Sequence, residues 1–166
     1  FFVCDFTLAN FERCEMGGEF TDCTFFKSQF HKAQLGGSRR GWPFQFSATG
    51  SKFVDVDFSD AKLEDVSFLS SNLHGANFWS AKLNGTNFSK TSLNRCDLSW
   101  TQIDSCIFDK SNLAGANLMN AQLNNSKLTE TSLRFSNLEG VIFSKVDLSR
   151  SDCFGANFNK TSFINS

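Results

Sequence analysis

No run of apolar residues in this chain approaches the ~20 that a membrane-crossing helix needs, so no transmembrane span is expected. Charge of neither sign dominates. Sixteen Lys+Arg stand against 17 Asp+Glu for a net charge of −1, which argues against non-specific nucleic-acid binding and equally against a strongly anionic mimic. There are only two histidines, His31 and His74, both expected outward and solvated with no evident carboxylate or nucleophile partner. The segment GGSRRG at 36–41 lacks the glycine spacing and lysine of a phosphate-cradling loop, so nucleotide binding is not supported. Six cysteines are present without the paired close spacing of a zinc or redox motif. They read as reduced, buried, structural thiols, which favours a cytoplasmic setting, with an organellar lumen or secretion as alternatives. No catalytic residue, metal site or cofactor is expected. Tyrosine is absent while phenylalanine reaches 21, an imbalance that needs a structural reason.

That reason is a period. From Phe53 to Phe163, every fifth residue is apolar: Phe53, Phe58, Leu63, Phe68, Leu73, Phe78 and so on, 23 centres without a miss. Two positions before each centre stands a small residue, from Ser51 and Val56 to Ala156 and Thr161. Points five apart drift by about 140° around an α-helix and cannot share a buried face. In a strand, the small residue and the centre point the same way, but the next small residue lies three positions on, at the wrong parity. The chain must therefore turn once per pentad, always in the same sense if all centres share one core. Fifteen of the 21 phenylalanines fall on pentad centres, so the aromatic excess is core filling.

Units such as Ala76-Asn77-Phe78, Ala116-Asn117-Leu118 and Ala156-Asn157-Phe158 resemble the A-(D/N)-L-x-x unit of pentapeptide-repeat proteins. The resemblance implies an all-β fold, a right-handed quadrilateral β-helix with four pentads per coil, the small residue and the centre inward and the other three outward. It implies little about task, because that family includes gyrase-protecting DNA mimics, bacterial effectors and thylakoid-lumen proteins.

One domain over 1–166 is expected, with two coils in 1–35, an inserted loop at 36–50 and continuous repeats over 51–166. Phe1, Phe6, Phe11 and Met16 form the first coil; Phe20, Phe25, Phe30 and Leu35 form the second. The step from Met16 to Phe20 is four, and the missing residue falls at Gly17-Gly18, where a corner can tighten. From Leu35 to Phe53 the gap is 18, read as 13 extra residues bulging from a corner and holding the only proline, Pro43. Cys4 and Cys23 would stack about one strand spacing apart, ~4.8 Å, with no disulfide expected. The first residue is Phe1 rather than a methionine, so a slice of a longer protein is expected, with an end-to-end homodimer or a flanking domain covering the coil ends.

Centres 20 apart share a side, so Asp57, Asn77, Asp97, Asn117, Asn137 and Asn157 are expected to form a hydrogen-bonded ladder. The same side should present Trp79, Trp100 and Met119 on three successive coils, with Leu8 and Phe26 extrapolated onto it. Aligned outward aromatics on a rigid β surface suit a protein partner. Arg39, Arg40 and Trp42 in the insertion add a basic-aromatic tip. Phe135 and Phe154 lie on another side, and Asp55, Asp57, Asp60, Glu64 and Asp65 cluster on one coil among Lys52 and Lys62. The expected role is a non-catalytic scaffold for protein–protein interaction. The alternative is a DNA-mimic modulator of gyrase or a related topoisomerase.

Overall fold

The computed structural model describes the backbone of residues 1–39 and 42–166 and the side chains of 1–37 and 44–166. The fold is an all-β parallel solenoid. Its strands are β1 (Glu15–Met16), β2 (Gly18–Glu19), β3 (Gln34–Arg39), β4 (Trp42–Phe44), β5 (Phe46–Ser47), β6 (Lys62–Glu64), β7 (Lys82–Asn84), β8 (Gln102–Asp104), β9 (Gln122–Asn124), β10 (Ile142–Ser144) and β11 (Ser162–Ile164). Strands β1, β3, β6, β7, β8, β9, β10 and β11 stack in parallel as eight rungs of one side. Isolated parallel bridges build the other three, as in Ser67↔Asn87, Asn72↔Ser92 and Asn77↔Asp97. We number the sides in chain order, so rung four presents Phe68, Leu73, Phe78 and Leu83 on sides one to four.

Most pentads on sides one to three close their corner in the same way, whereas after strands β6 to β10 on side four only the left-handed residue turns the chain, as at Asp65 (φ 52). The amide of Ala61 donates to the Phe58 carbonyl at 3.1 Å, with Asp60 between them at φ 56. This i-to-i+3 closure with a left-handed third residue is a type II turn, and it supplies the phase reset that the period demands. Between rungs, Phe58 N–H donates to Asn77 O at 2.7 Å and Asn77 N–H to Val56 O at 2.9 Å, so the ladder satisfies backbone groups on both faces of each rung.

The centres fill the hollow. Phe53, Phe58, Phe68, Phe78, Phe88 and Phe108 are fully buried, and successive rings on one side stack, as Phe25–Phe53 (4.4 Å) and Phe88–Phe108 (4.9 Å) do. At the two ends the core reaches the surface: the centres Phe1, Phe158 and Phe163 are exposed.

The insertion is smaller than the spacing of large apolar residues indicates. Ala48 is itself a centre, buried, five residues before Phe53, with Ser51 N–H closing its corner on Ala48 O. Glu19 pairs with Ser47 and Ser47 with Ser67, which puts Ala48 in line with Phe20 and Phe68. The usual sizes are inverted here. Phe46 occupies the small slot, fully buried, and its ring stacks on Phe20 at 5.1 Å, filling the volume that Ala48 leaves. The excess is therefore eight residues rather than 13, and the wall resumes at β5. Before it, β3 runs past its corner and pairs antiparallel with β4, Gly37 opposite Phe44 and Arg39 opposite Trp42. The short step at Gly17-Gly18 lies beneath this hairpin's root: a Cβ on Gly17 would stand 3.1 Å from the Phe44 ring and 3.0 Å from Gln45 O. The residue lost in one coil makes room for those gained in the next.

All six cysteines are free. Cys23, Cys96 and Cys106 are buried, whereas Cys4, Cys14 and Cys153 are half-buried near the ends. Burial pushes the Cys106 thiol up to about 12 and raises that of Cys96 further. At pH 8 a maleimide reagent is expected to label Cys4, Cys14 and Cys153 in the folded protein, and Cys23, Cys96 and Cys106 only after denaturation. Mass spectrometry of the labelled peptides checks this, and rapid native labelling of Cys106 would contradict a closed core.

Candidate interaction surface

Side three carries the expected amide ladder. Asn77 Nδ2 donates to Asp57 Oδ1 at 3.1 Å, Asn117 to Asp97 at 3.2 Å, Asn137 to Asn117 at 3.1 Å and Asn157 to Asn137 at 3.1 Å. Each Oδ1 also takes the backbone N–H two residues on, such as Trp79 N at 3.0 Å from Asn77. An aspartate can receive but not pass on a bond, so Asp97 starts a new run rather than continuing that of Asn77. This ladder fixes the corner that follows it.

On that corner stand Trp79, Trp100 and Met119, on rungs four, five and six. Trp79 is 46% and Trp100 59% exposed, and Met119 is half-buried beside them. Trp100 N–H donates to Met119 O at 3.0 Å, so the two lie on neighbouring rungs. Trp100 also takes the left-handed position, φ 60, where a bulky side chain is disfavoured by roughly 1–2 kcal/mol relative to glycine.

Leu8 and Phe26 are not on this corner. Phe25 stacks on Phe53 and Phe30 on Phe58 (5.1 Å), which places Leu8 and Phe26 beyond side two. The missed side at Ala48 is the cause: without it every residue upstream is displaced by one quarter of the coil. Phe135 and Phe154 follow side two as well, at its far end.

Side four separates the tryptophan corner from the hairpin root. It holds a shallow depression of about 410 Å³ lined by Lys62, Glu64, Lys82, Leu83, Asn84, Gln102 and Asp104. Lys62 and Lys82 face each other across adjacent strands. Of the insertion residues, Arg39 and Trp42 pair in the hairpin backbone, their side chains lie outside the described residues, and Arg40 lies outside them altogether.

The histidines have partners that spacing along the chain does not reveal. His31 Nδ1 is 2.9 Å from Ser59 Oγ and His74 Nδ1 is 2.7 Å from Asn94 Nδ2, in each case one rung up. The expectation of no nucleophile near His31 is thus corrected. Both contacts come from the register, since residues at equal places on successive rungs are stacked. Among the described residues no group of three or more His, Cys, Asp or Glu is placed to hold a metal ion. Asp55, Asp57, Asp60, Glu64 and Asp65 spread around rung three over several sides. Also among the described residues, no helix is long and apolar enough to cross a membrane.

Four stacked sides, a sealed core and an outward surface set by three positions per pentad define a quadrilateral β-solenoid. The family model for pentapeptide repeats matches in eight copies spread over residues 47–165, and the chain belongs to this family. A comparison with curated proteins found no match. Among solved structures, the chain is similar to the pentapeptide repeat protein Rfr23 from the cyanobacterium Cyanothece 51142, with a TM-score of 0.50 and 22% identity, covering 70% of this chain and 90% of that one. It is also similar to QnrB1, a plasmid-mediated fluoroquinolone resistance protein, with a TM-score of 0.52 and 19% identity, covering 99% and 90%. Identities this low speak for the fold alone.

Proposed function

We propose that this solenoid is a non-catalytic scaffold that docks a protein partner across side four, between the Trp79–Trp100–Met119 corner and the root of the β3–β4 hairpin. Trp100 is the observation that carries this reading. A large indole, 59% exposed, occupies a left-handed position that glycine or asparagine fills at lower cost. The depression between the two flanks offers Lys62, Lys82, Glu64 and Asp104 as polar contacts around an aromatic anchor. A rod of stacked rungs loses little freedom on binding, so modest contacts suffice. The exposed ends of the stack are the place for a second copy or a flanking domain.

Trp100→Gly separates stability from binding. The substitution is expected to stabilise the fold by about 1 kcal/mol in urea denaturation while weakening capture of the partner at least about tenfold. Trp79→Ala should weaken capture with β-type circular dichroism unchanged. Retained partner binding in the Trp79→Ala/Trp100→Gly double variant would remove this corner from consideration.

A DNA mimic acting on a gyrase-type topoisomerase needs carboxylates in file along one side, at the places of successive phosphates. The acidic cluster here circles a single rung instead, and Lys62 and Lys82 stand in file on side four. No inhibition or protection is expected in a gyrase supercoiling assay at stoichiometric protein.

A further inference from the structure

Side two differs in charge from the surface just described. From rung five to rung eight, Lys90, Lys110 and Arg150 line its leading corner, and Arg95 and Arg134 its trailing one, all of them exposed. Three carboxylates stand among them, Asp109 beside Lys110 on the leading corner accepting from Thr129 Oγ1 at 2.6 Å. Glu130 lies between Lys110 at 3.7 Å and Arg150 at 4.0 Å, and Asp152 takes Arg134 at 2.7 Å. Lys90 and Arg95 form no ion pair among the described residues. Between the two corners run Ser92, Asn112 and Ser132, joined by parallel bridges and presenting hydroxyl and amide groups outward. The far end is aromatic. The Arg134 guanidinium lies 4.8 Å from the Phe154 ring, and Phe154 meets Phe135 edge to face at 5.5 Å. Both rings are 62% exposed. Gly155 makes this pairing feasible, since a Cβ there would come within 2.5 Å of the Phe135 ring.

We propose that this face docks an extended acidic protein segment whose last side chain is apolar. Four rungs about 4.8 Å apart span roughly 14 Å, the reach of about four residues at ~3.3 Å each. Carboxylates on alternate sides of such a strand meet the cationic corners, its backbone meets the Ser92–Asn112–Ser132 strip, and its apolar residue lies on Phe135 and Phe154. Charge complementarity selects an acidic partner. The shortness of the face, closed at one end by Asp152, with Asp55 on rung three beyond the other, selects a peptide over a run of phosphates.

The probe is the synthetic peptide Asp-Glu-Asp-Glu-Phe, titrated into ¹⁵N-labelled protein and followed by amide shifts. Perturbations are expected at Ser92, Asn112 and Ser132, with affinity falling as salt rises. The Lys90→Gln/Arg95→Gln variant should bind about tenfold more weakly. Phe154→Ser should weaken this peptide but not one ending in glycine, and Trp79→Ala should leave the binding unchanged, which keeps this result independent of the side-four reading. Absence of shifts on side two, affinity within twofold in the lysine–arginine variant, or tighter binding of an oligothymidylate at equal salt would each overturn the proposal.

Discussion

Phe58→Ala is expected to cost about 3–5 kcal/mol and to unfold the two halves of the rod unequally. The Phe58 ring lies 5.1 Å from that of Phe30, 5.0 Å from Phe78, 5.8 Å from Phe53 and 5.7 Å from Phe68, so it meets the rung below, two rings of the rung above and its neighbour on its own rung. Truncation leaves a cavity that neighbours hydrogen-bonded on both edges cannot collapse to fill. A solenoid is held by nearest-neighbour contacts alone, so a weak rung divides it. Rungs one and two then depend on rung three for most of their apolar burial, whereas rungs five to seven keep a continuous core from Phe88 and Leu98 through Phe108 and Leu118 to Leu138 and Phe143. Hydrogen exchange should show early loss of protection at Phe25, Phe30 and Lys52 with retention at Leu98 and Leu118. Uniform loss along the chain, or a destabilisation below about 1 kcal/mol, would mean that the core behaves as a single globule rather than as coupled rungs.

The same nearest-neighbour logic explains what could be read from the sequence. The period of five over 53–163 specified the turn, the inward residues and the amide ladder from Asp57 to Asn157, because each depends only on residues at fixed short offsets. The early coils were harder, since a constant offset of 20 applies only where no residue is gained or lost. Ala48 continues the count back from Phe53 but is too small to stand out as a centre, and Phe46, which replaces its volume, sits two residues out of phase. Overlooking that one side displaced Leu8 and Phe26 from the corner beyond side two to the corner beyond side three. Contacts between outward residues, such as His31 with Ser59, follow once the correct register is known, because stacking alone generates them. Trp79, Trp100 and Met119 share one corner because they lie in the uninterrupted part of the chain, where the offset of 20 holds. The left-handed backbone of Trp100 recurs at the same place in other corners, as at Asp60 and Phe135; what the structure adds is that the indole there is 59% exposed.

Gly36→Ala is expected to destabilise by on the order of 3 kcal/mol, and Gly140→Ala by only about 1 kcal/mol, although both glycines have φ 68. The strain of a left-handed alanine is common to the two positions. What differs is the neighbour. A Cβ on Gly36 would stand 2.2 Å from the backbone carbonyl oxygen of Glu64, which is anchored in the rung above by the pairing of Leu35 with Leu63 and Gly36 with Glu64. Relief requires β3 and β6 to part. A Cβ on Gly140 would stand 2.3 Å from Asn120 Oδ1, the end of a side chain at an open corner that can rotate away. Gly36 is also the point where the chain leaves the wall: it and Gly37 (φ 99) are consecutive left-handed residues, and that pair steers β3 out of the coil into the hairpin. Alanine at 36 should therefore loosen the hairpin root as well, read as faster exchange at Gln34 and Lys62. Urea denaturation of the two variants provides the comparison. Equal losses would show that corner strain, rather than contact with the rung above, sets the cost of replacing a glycine in this wall.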